Sequence, residues 1–355
     1  MKMLQRTVAA KASIAAGAGA LALSMLLLGN APAEAQTITL RFHTHVPPVA
    51  SSYKTLKEWA DRVEKASNGR LKIQMFGAMQ LGGKAQDIYD QVKNGVVDMG
   101  WTLPGYKAGL FPATDIFELP FMGGQAPHMS VALDEFTQLH AKKEWSDVHL
   151  IIAHSPGSSV LHMKNKRVTK MEDFAGLKIR TPSRVSSGAL QALGAVPVPV
   201  PGTATMAEIL IRDVVNGLIT PWAIARATKT IDAATFHAEN TLHGPTLAMI
   251  MNKNSYAKLP DDLKKVLTDN SGPKAARWLG EKWEAADKPG IEHAKKLGHE
   301  VVTISDAETA RWRKASQPVY DAWIKEANAK GLDGAKLIAE AERLIAKHKG
   351  AAKTN

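Results

Sequence analysis

Strand-like and helix-like segments alternate in the first part of the chain, and this order limits the fold more than any other feature. Residues Ile38–Thr44 and Leu71–Met75 have the apolar and β-branched character of strands. Between them, over Ser51–Gly69, apolar residues recur at the helical period of about 3.6. A predicted helix over residues 84–93 then leads into a strand over Val96–Gly100. This order is typical of a parallel sheet covered by helices, so we predict an α/β protein.

A similar order returns in the second half of the chain. The predicted strand Leu177–Ile179 repeats the Leu-Lys-Ile sequence of Leu71–Ile73, and helices are predicted over residues 183–193 and 205–214. Another Asn-Gly pair opens the segment Asn216–Thr220, which reads as a turn followed by a strand. The chain is therefore predicted to form two similar α/β lobes.

The connections between the lobes are also predicted from apolar segments. Asp147–Ala153 and Leu247–Met251 are predicted strands that carry the chain from one lobe to the other and back. A long helix is predicted from Pro260 to about Lys288, and a capping box at Ser305–Glu308 opens the final helices, with a kink at Pro318. The predicted division is residues 36–157 with 246–286 as the first lobe, 158–245 with 287–345 as the second lobe, and 346–355 as a frayed tail.

The first 35 residues have the pattern of a secretory signal peptide. The start is basic, residues 12–28 are uncharged and mostly apolar, and Ala33–Ala35 has the small-x-small pattern of a cleavage site. A retained membrane anchor is the alternative, because the apolar run approaches the length that spans a bilayer. We predict cleavage near Ala35–Gln36 and a soluble mature protein in the periplasm.

The composition excludes several classes of function. The chain has no cysteine, so it has no disulfide framework, thiol nucleophile or zinc–thiolate site. Its 45 Lys and Arg against 34 Asp and Glu give a formal net charge of +11. The basic residues are spread along the chain, which disfavours nucleic-acid binding and favours attraction to anionic ligands or membrane surfaces.

Motifs for cofactors, metals and catalysis are missing from the sequence. No phosphate-binding loop, dinucleotide fingerprint or nucleophile elbow occurs. His43 and His45 lie two residues apart on a predicted strand and share a face, but no further ligand spacing completes a metal site. We therefore predict neither a cofactor nor a metal, and a binding protein rather than an enzyme.

Arg180 is the first candidate for a binding residue. It follows the predicted strand Leu177–Ile179, and Thr181–Pro182 ends that strand because proline lacks the amide hydrogen that a sheet requires. Arg180 should thus lie at the carboxyl end of a strand and face the start of a helix, where open α/β sheets bind ligands. Its planar guanidinium matches a carboxylate with two parallel hydrogen bonds. A structural salt bridge to a nearby Asp or Glu is the alternative.

Other candidates lie at corresponding places in both predicted lobes. His45, Trp101 and Thr220 are placed at the carboxyl ends of strands, and Trp222 follows Thr220 closely. The tryptophans would give flat walls and indole hydrogen-bond donors, with core packing as the alternative for each. His45 and Thr220 would hydrogen-bond a hydroxyl or oxo group. Ser183, at the start of the next helix, completes the predicted ligand-binding set.

Six short motifs occur in a fixed order, and together they resemble one family. The resemblance is to the periplasmic solute-binding receptors of TRAP (tripartite ATP-independent periplasmic) transporters, from about Ile38 to beyond Tyr320. The motifs are Asn68–Ile73, Gln80–Gly82, Asn94–Asp98, Glu118–Phe121, Gly176–Pro182 and Leu193–Pro199.

The resemblance implies a fold, a ligand class and a partner. It implies a two-lobed periplasmic-binding-protein fold, with hinge strands and a long connecting helix, that closes on an organic acid. Arg180 matches the family's arginine that grips the ligand carboxylate. The implied partner is a membrane permease of two subunits, driven by an ion gradient. A monomer is favoured, although the apolar surface of the final helices leaves a dimer open through Trp312, Tyr320, Trp323 and Ile324.

Departures from the family pattern narrow the predicted ligand. Val160 stands where receptors for acidic sugars and some dicarboxylates carry a further arginine, and Leu103 stands where a polar residue is frequent. The segment Leu218–Pro221 replaces the frequent Gln-Glu-Asn-Pro. A less polar cavity with one cation favours a monocarboxylate with an aromatic or aliphatic body, such as a 2-hydroxy or 2-oxo acid. The alternatives are a C4-dicarboxylate receptor, a receptor for a signalling partner, and a periplasmic enzyme that uses His45 as general base.

Overall fold

The computed structural model describes residues 37–350. The predicted signal peptide and the last five residues of the predicted tail lie outside the described residues. The strands are β1 (Ile38–Thr44), β2 (Leu71–Phe76), β3 (Met99–Thr102), β4 (His149–His154), β5 (Val160–Met163), β6 (Lys178–Thr181), β7 (Val196–Pro199), β8 (Gly217–Thr220), β9 (Phe236–Glu239), β10 (Leu247–Met251) and β11 (Glu300–Thr303). The helices are α1 (Ser51–Ala66), α2 (Ile88–Lys93), α3 (Ala126–His140), α4 (Arg184–Ala192), α5 (Met206–Ile211), α6 (Trp222–Ala227), α7 (Thr230–Ala233), α8 (Lys253–Ala257), α9 (Asp261–Asp269), α10 (Gly272–Lys296), α11 (Asp306–Ala315), α12 (Gln317–Ala329) and α13 (Gly334–Gly350).

The strands form two separate sheets. The first has the order β2-β1-β3-β10-β4, and the second has the order β11-β9-β5-β8-β6-β7. In the first sheet β1 and β3 are parallel, whereas β10 runs antiparallel to both β3 and β4. In the second sheet β6 is parallel to β7 and β8, whereas β5 is antiparallel to β8 and β9. The predicted α/β class is therefore confirmed, and each sheet contains both parallel and antiparallel strand pairs.

The chain passes between the sheets in two short connections. The first, residues 155–159, joins β4 of the first sheet to β5 of the second, and the other, residues 240–246, joins β9 to β10. Gly157 in the first connection has a φ of +83°, and a Cβ there would lie 2.9 Å from the carbonyl oxygen of Gly124. Only glycine fits this position without strain, because it combines a left-handed backbone with close contact.

The long helix differs from its predicted bounds. The predicted helix from Pro260 to about Lys288 is broken into α9 and α10, because Ser271 and Gly272 leave the helical path and Gly272 has a φ of +71°. Helix α10 packs against α3 beside the first sheet and against α6 beside the second. A Cβ at Gly280 would lie 2.5 Å from the Ala126 carbonyl oxygen, so this crossing depends on the absence of a side chain.

The C-terminal helices also differ from the prediction. The chain breaks at Ser316 instead of bending at Pro318, since α11 ends at Ala315 and α12 begins at Gln317. Residues 287–345 were predicted to belong to the second lobe, but Trp323 on α12 and Leu344 on α13 lie in the core that also covers the first sheet.

The last helix is longer than predicted. Residues 346–350 were expected to fray, but α13 continues through Gly350. The His348 Nε2 atom lies 2.6 Å from Glu135 Oε2 on α3, and this contact holds the final turn of α13 against α3. None of the helices within residues 37–350 has both the length and the apolar character required to cross a bilayer.

Candidate ligand-binding site

A cavity lies between residues that belong to the two sheets and their connections. It is small, about 40 Å³, so its walls are close together. Four of the six predicted ligand-binding residues line it: His45, Trp101, Arg180 and Thr220. Leu103, which the sequence indicated as an apolar replacement, lines it as well.

The sheets explain why these residues meet. In the first sheet β1 and β3 are parallel with Thr44 beside Trp101, so His45 continues from β1 directly alongside β3. In the second sheet β6 and β8 are parallel with Arg180 beside Leu218, so the carboxyl ends of both strands reach the same edge. The two sheets thus present corresponding edges to one cavity, as expected for ligand sites in α/β proteins.

The strand that carries Trp101 begins later than predicted. Val96–Asp98 were predicted to be its start, but β3 runs over Met99–Thr102, and Trp101 lies within it. The backbone amides of Val96 and Val97 both donate to the carbonyl of Gln91 and so close the end of α2. Val96 and Val97 therefore end α2, although their β-branched side chains are typical of a strand.

Arg180 is fully enclosed and held by backbone carbonyls. Its side chain is 2% exposed, its Nε donates to the Val200 carbonyl at 2.9 Å, and its Nη2 donates to the Gly202 carbonyl at 2.6 Å. Among residues 37–350, no carboxylate oxygen lies within 4.0 Å of the guanidinium. Burial lowers the pKa of Arg180 to about 10, partly offset by the phenol of Tyr106. The group thus stays charged at neutral pH, and the structural salt bridge considered above is absent from the described chain.

His45 lies flat against Trp101. The ring centroids are 5.3 Å apart and the ring planes differ by 13°, while Tyr106 meets the His45 ring edge-on at 5.9 Å. Burial lowers the pKa of His45 to about 4, with further contributions from the charges of Arg180 and His43. The imidazole is therefore neutral at neutral pH. Its buried Nδ1 has no hydrogen-bond partner among the described residues.

Trp101 lines the cavity, but its indole N–H is already bonded. Trp101 Nε1 donates to His154 Nε2 at 2.9 Å, so the predicted donor is not available to a ligand. Trp101 also stacks with Trp283 of α10, with centroids 6.3 Å apart and planes 18° apart. Burial lowers the pKa of His154 to about 3, which keeps it a neutral acceptor.

Two predicted ligand-binding residues lie elsewhere. Trp222 does not line the cavity. Its Nε1 donates to Glu239 Oε1 at 3.1 Å, and its ring packs against His162 beneath α10. Ser183 caps α4 by accepting from the amide of Ser186 at 3.3 Å. The turns of α6 and α4 begin at these positions and direct both side chains into the protein interior.

Several residues that line the cavity were not predicted, among them Tyr106, Ser159 and Trp283. Tyr106 accepts a hydrogen bond from the Gly202 amide at 3.0 Å, and Ser159 lies in the connection between the sheets. Trp283 contributes a wall from α10. Tyr106 ends a short 3-10 turn, Pro104–Tyr106, that has no periodic pattern, and the apolar face of α10 has the pattern of ordinary core, so the sequence carries no signal for Tyr106 or Trp283.

Two α/β sheets that share a cavity, with a buried arginine that has no carboxylate partner among the described residues, are the arrangement expected of a two-lobed binding protein. Comparison with known families agrees with this class. The sequence profile of the bacterial extracellular solute-binding protein family 7 matches residues 42–326. The chain belongs to this family, the periplasmic receptors of TRAP transporters.

Solved structures of similar proteins agree in fold over most of the chain. A TRAP solute-binding protein from Rhodoferax ferrireducens, in complex with copurified benzoate, is 37% identical with a TM-score of 0.87, covering 89% of this chain and 100% of that chain. A marine metagenome TRAP protein specific for aromatic acid ligands, in complex with 3-hydroxybenzoate, is 34% identical with a TM-score of 0.85, covering 88% and 99%. The C4-dicarboxylate-binding periplasmic protein of Rhodobacter capsulatus is 26% identical, covering 86% of this chain and 92% of its own.

Family membership answers several questions raised by the sequence. The predicted recognition as a TRAP receptor is confirmed, and so is the two-lobed fold. The family consists of solute-binding components and not of enzymes, which removes the periplasmic enzyme considered above. TRAP receptors bind small organic acids in the periplasm and work with membrane permease components.

Proposed function

We propose that this protein captures an organic monocarboxylate, preferably an aromatic one, and delivers it to a TRAP permease. The observation that carries the proposal is the state of Arg180, which is buried, charged and without a carboxylate partner among the described residues. A buried charge that lacks its counterion is unfavourable. A ligand carboxylate would complete the pair with two parallel hydrogen bonds.

The walls of the cavity favour a flat apolar body. Trp101, Trp283 and Leu103 line the cavity and supply aromatic and aliphatic surface. Stacked or edge-on contacts between aromatic rings contribute about 0.5–1.5 kcal/mol beyond the burial of area. His45 and Thr220 supply the polar atoms that would bind a hydroxyl or oxo substituent.

Arg180 is the one cation among the described residues that line the cavity. Val160, at the position where related receptors were expected to carry another arginine, is buried and apolar. A second carboxylate would thus enter the cavity without a positive partner. This disfavours a C4-dicarboxylate, although the relative from Rhodobacter capsulatus is named for binding such acids.

Related receptors support an aromatic acid. The two solved structures described above contain benzoate and 3-hydroxybenzoate. A further TRAP receptor, from Bordetella bronchiseptica, is 26% identical with a TM-score of 0.81 and contains both enantiomers of mandelate, an aromatic 2-hydroxy acid. We therefore favour benzoate-like and mandelate-like acids over aliphatic ones.

The proposal includes export and closure. The N-terminal signal would be cleaved near Ala35–Gln36, and the mature protein would act as a periplasmic monomer. Arg180 would bind the anion in an open form, and the sheets would then approach and exclude water, which strengthens the ion pair. The closed surface would be the one that the permease recognises.

A thermal-shift screen of residues 36–355 tests this function. The acids are benzoate, 3-hydroxybenzoate and mandelate, with succinate and malate as diacids and benzamide as a ring without a carboxylate. Ligand at about 100 times its Kd adds about 2.7 kcal/mol, which raises the Tm by several degrees. Shifts with the aromatic monocarboxylates alone support the proposal. A shift with succinate or malate alone would mean that the ligand is a dicarboxylate. The absence of a shift with any acid would refute the proposed function.

A further inference from the structure

A short segment that precedes α3, residues 119–123, lies beside both connections between the sheets. The amide of Phe121 donates to the carbonyl of Leu242 in the second connection at 3.3 Å. A Cβ added at Gly123 would lie 2.8 Å from the Oγ atom of Ser158 in the first connection. The segment is therefore packed closely against the two places where the chain passes from one sheet to the other.

Two further hydrogen bonds hold this segment in place. Glu118, directly before it, accepts at Oε1 from the hydroxyl of Thr246 at 2.9 Å, and Thr246 ends the second connection. The carbonyl of Pro120 accepts from the hydroxyl of Tyr320 on α12 at 2.6 Å. Tyr320 packs against the core that also covers the first sheet. These bonds fix the segment to the first lobe and to the return connection.

The side chains of the segment divide between two cores. Leu119 and Met122 are buried in the core that also covers the first sheet. Phe121, between them, is buried in the core of the second sheet, whose other members among the described residues lie at Leu161 or later in the chain. The guanidinium carbon of Arg313 on α11 lies over the Phe121 ring, 4.9 Å from its centroid. Neighbouring residues of one short segment are thus buried in different lobes.

The backbone of Phe121 is strained in a way that accompanies this division. Its φ is +66°, in the left-handed region, where a bulky side chain is an outlier. Such a conformation persists only where the surrounding contacts outweigh the strain, and it is concentrated at functional positions. At Phe121 the compensating contacts are those of an aromatic ring with the second core.

The division leaves little slack between the two cores. Leu119 and Met122 are both within two residues of Phe121, and an extended chain spans at most about 3.6 Å per residue. If the sheets separated widely at this point, Phe121 would have to leave the second core. Its ring would then be exposed to water and would leave a cavity behind, and both changes are unfavourable.

We propose that Phe121 is a positioning residue for ligand capture, a non-covalent link between the lobes that limits how far they open. The inference does not depend on which acid the protein binds. With this link the free protein stays near the arrangement that closes on a ligand, so less conformational freedom is lost on binding. Loss of the ring should widen the range of open forms, reduce the fraction that is competent to bind, and thereby raise the Kd.

Distances between two spin labels measure the opening without any ligand. The chain has no cysteine, so Lys72→Cys and Lys166→Cys introduce the only attachment sites. Both positions are exposed, the first on β2 of the first sheet and the second shortly after β5 of the second sheet. Pulsed electron resonance of the ligand-free mature protein gives the distribution of distances. We expect Phe121→Leu to broaden this distribution.

Phe174→Leu is the matched control. Phe174 is buried in the same core as Phe121 and packs against Trp312 of α11, but all of its segment belongs to the second lobe. The same substitution should therefore lower the free energy of unfolding, measured with urea, and leave the distance distribution as in the wild type. A residue that served only the core would give the Phe174 result at Phe121 as well.

Titration with benzoate provides the second measurement. Phe121→Leu should raise the Kd about threefold or more, because part of the binding energy is used to restore the competent arrangement. Phe174→Leu should leave the Kd of the folded protein unchanged. Broadening in Phe121→Leu without a change in its Kd would overturn the role in ligand capture.

The remaining outcomes are also decisive. An unchanged distribution in Phe121→Leu, or equal broadening in the two leucine variants, would overturn the link between the lobes. If Phe121→Leu does not fold, Phe121→Met and Phe174→Met form an equivalent pair with an unbranched side chain, and the same criteria apply. If the wild type does not bind benzoate, the proposed function fails, but the label distances still decide this inference.

Discussion

Arg180 and Gly202 are joined by a short hydrogen bond, 2.6 Å from the guanidinium Nη2 to the carbonyl oxygen. The amide of the same glycine donates to the hydroxyl of Tyr106 at 3.0 Å. Gly202 thus connects the arginine of the second sheet to an aromatic residue that follows β3 of the first. These bonds fix the guanidinium before a ligand arrives, which reduces the entropy lost on binding.

Replacement of Arg180 should remove most of the affinity. Arg180→Ala leaves the ligand carboxylate buried without a partner, which costs about 3–5 kcal/mol, or a few hundred-fold or more in Kd. Arg180→Lys retains a charge but lacks the planar fork, so its affinity should be intermediate. Isothermal titration with benzoate measures both variants. An alanine variant within about threefold of the wild type would show that the anchor is another residue.

Replacement of His45 should change selectivity more than affinity. His45→Phe keeps a ring stacked on Trp101 but removes the unpartnered Nδ1. A hydrogen bond to a ligand hydroxyl contributes about 1 kcal/mol, or about fivefold. We expect 3-hydroxybenzoate to lose this factor while benzoate changes little, in parallel titrations. Equal losses for the two acids would mean that His45 serves only as a wall.

The two predicted tryptophans should differ in effect. Trp101 lines the cavity, so Trp101→Leu should weaken benzoate about three- to tenfold through lost ring contacts. Trp222 packs under α10 with its N–H bonded to Glu239, so Trp222→Leu should lower stability and leave the Kd of the folded protein unchanged. Chemical denaturation and titration at low temperature separate the effects. A large loss of affinity in Trp222→Leu with normal stability would contradict the geometry.

His154 should make the protein less stable in acid. Burial lowers its pKa in the folded protein to about 3, below the ordinary histidine pKa of 6.5. As pH falls from 6.5 towards 3, the unfolded chain binds a proton there and the folded protein does not. The free energy of unfolding therefore falls by about 1.4 kcal/mol per pH unit from this residue. His154→Gln can still accept from Trp101 and should remove this contribution.

The comparison between His154→Gln and the wild type is needed because other groups change the free energy of unfolding in the opposite direction as pH falls. Burial raises the pKa of Asp134 and Asp287 to about 7. Because these carboxyl groups bind protons more readily in the folded protein, they raise its free energy of unfolding as pH falls below 7. This increase masks part of the decrease that His154 causes in the wild type. Urea denaturation from pH 7 to 4.5 gives the difference between the two proteins. Parallel curves would show that His154 is protonated in the folded state.

The sequence by itself determined the class of fold and placed Arg180, the proposed anchor, at the end of a strand. The alternation of period-2 and period-3.6 patterns is local, and it predicted β1 and β10 with their observed bounds. Arg180 was found because Thr181–Pro182 must end a strand, and the end of a strand in an α/β sheet is a ligand-binding position. These inferences depend on neighbouring residues alone, so no distant contact was needed to make them.

Only the tertiary structure decided which way the side chains of the site face. Trp101 and Trp222 follow similar Asn-Gly turns, yet the first lines the cavity and the second packs beneath α10. The cavity also brings together residues from segments far apart in the chain: Tyr106, Ser159 and Trp283. Their proximity depends on how the sheets, their connections and α10 pack, because packing and not local pattern sets the orientation of a buried side chain.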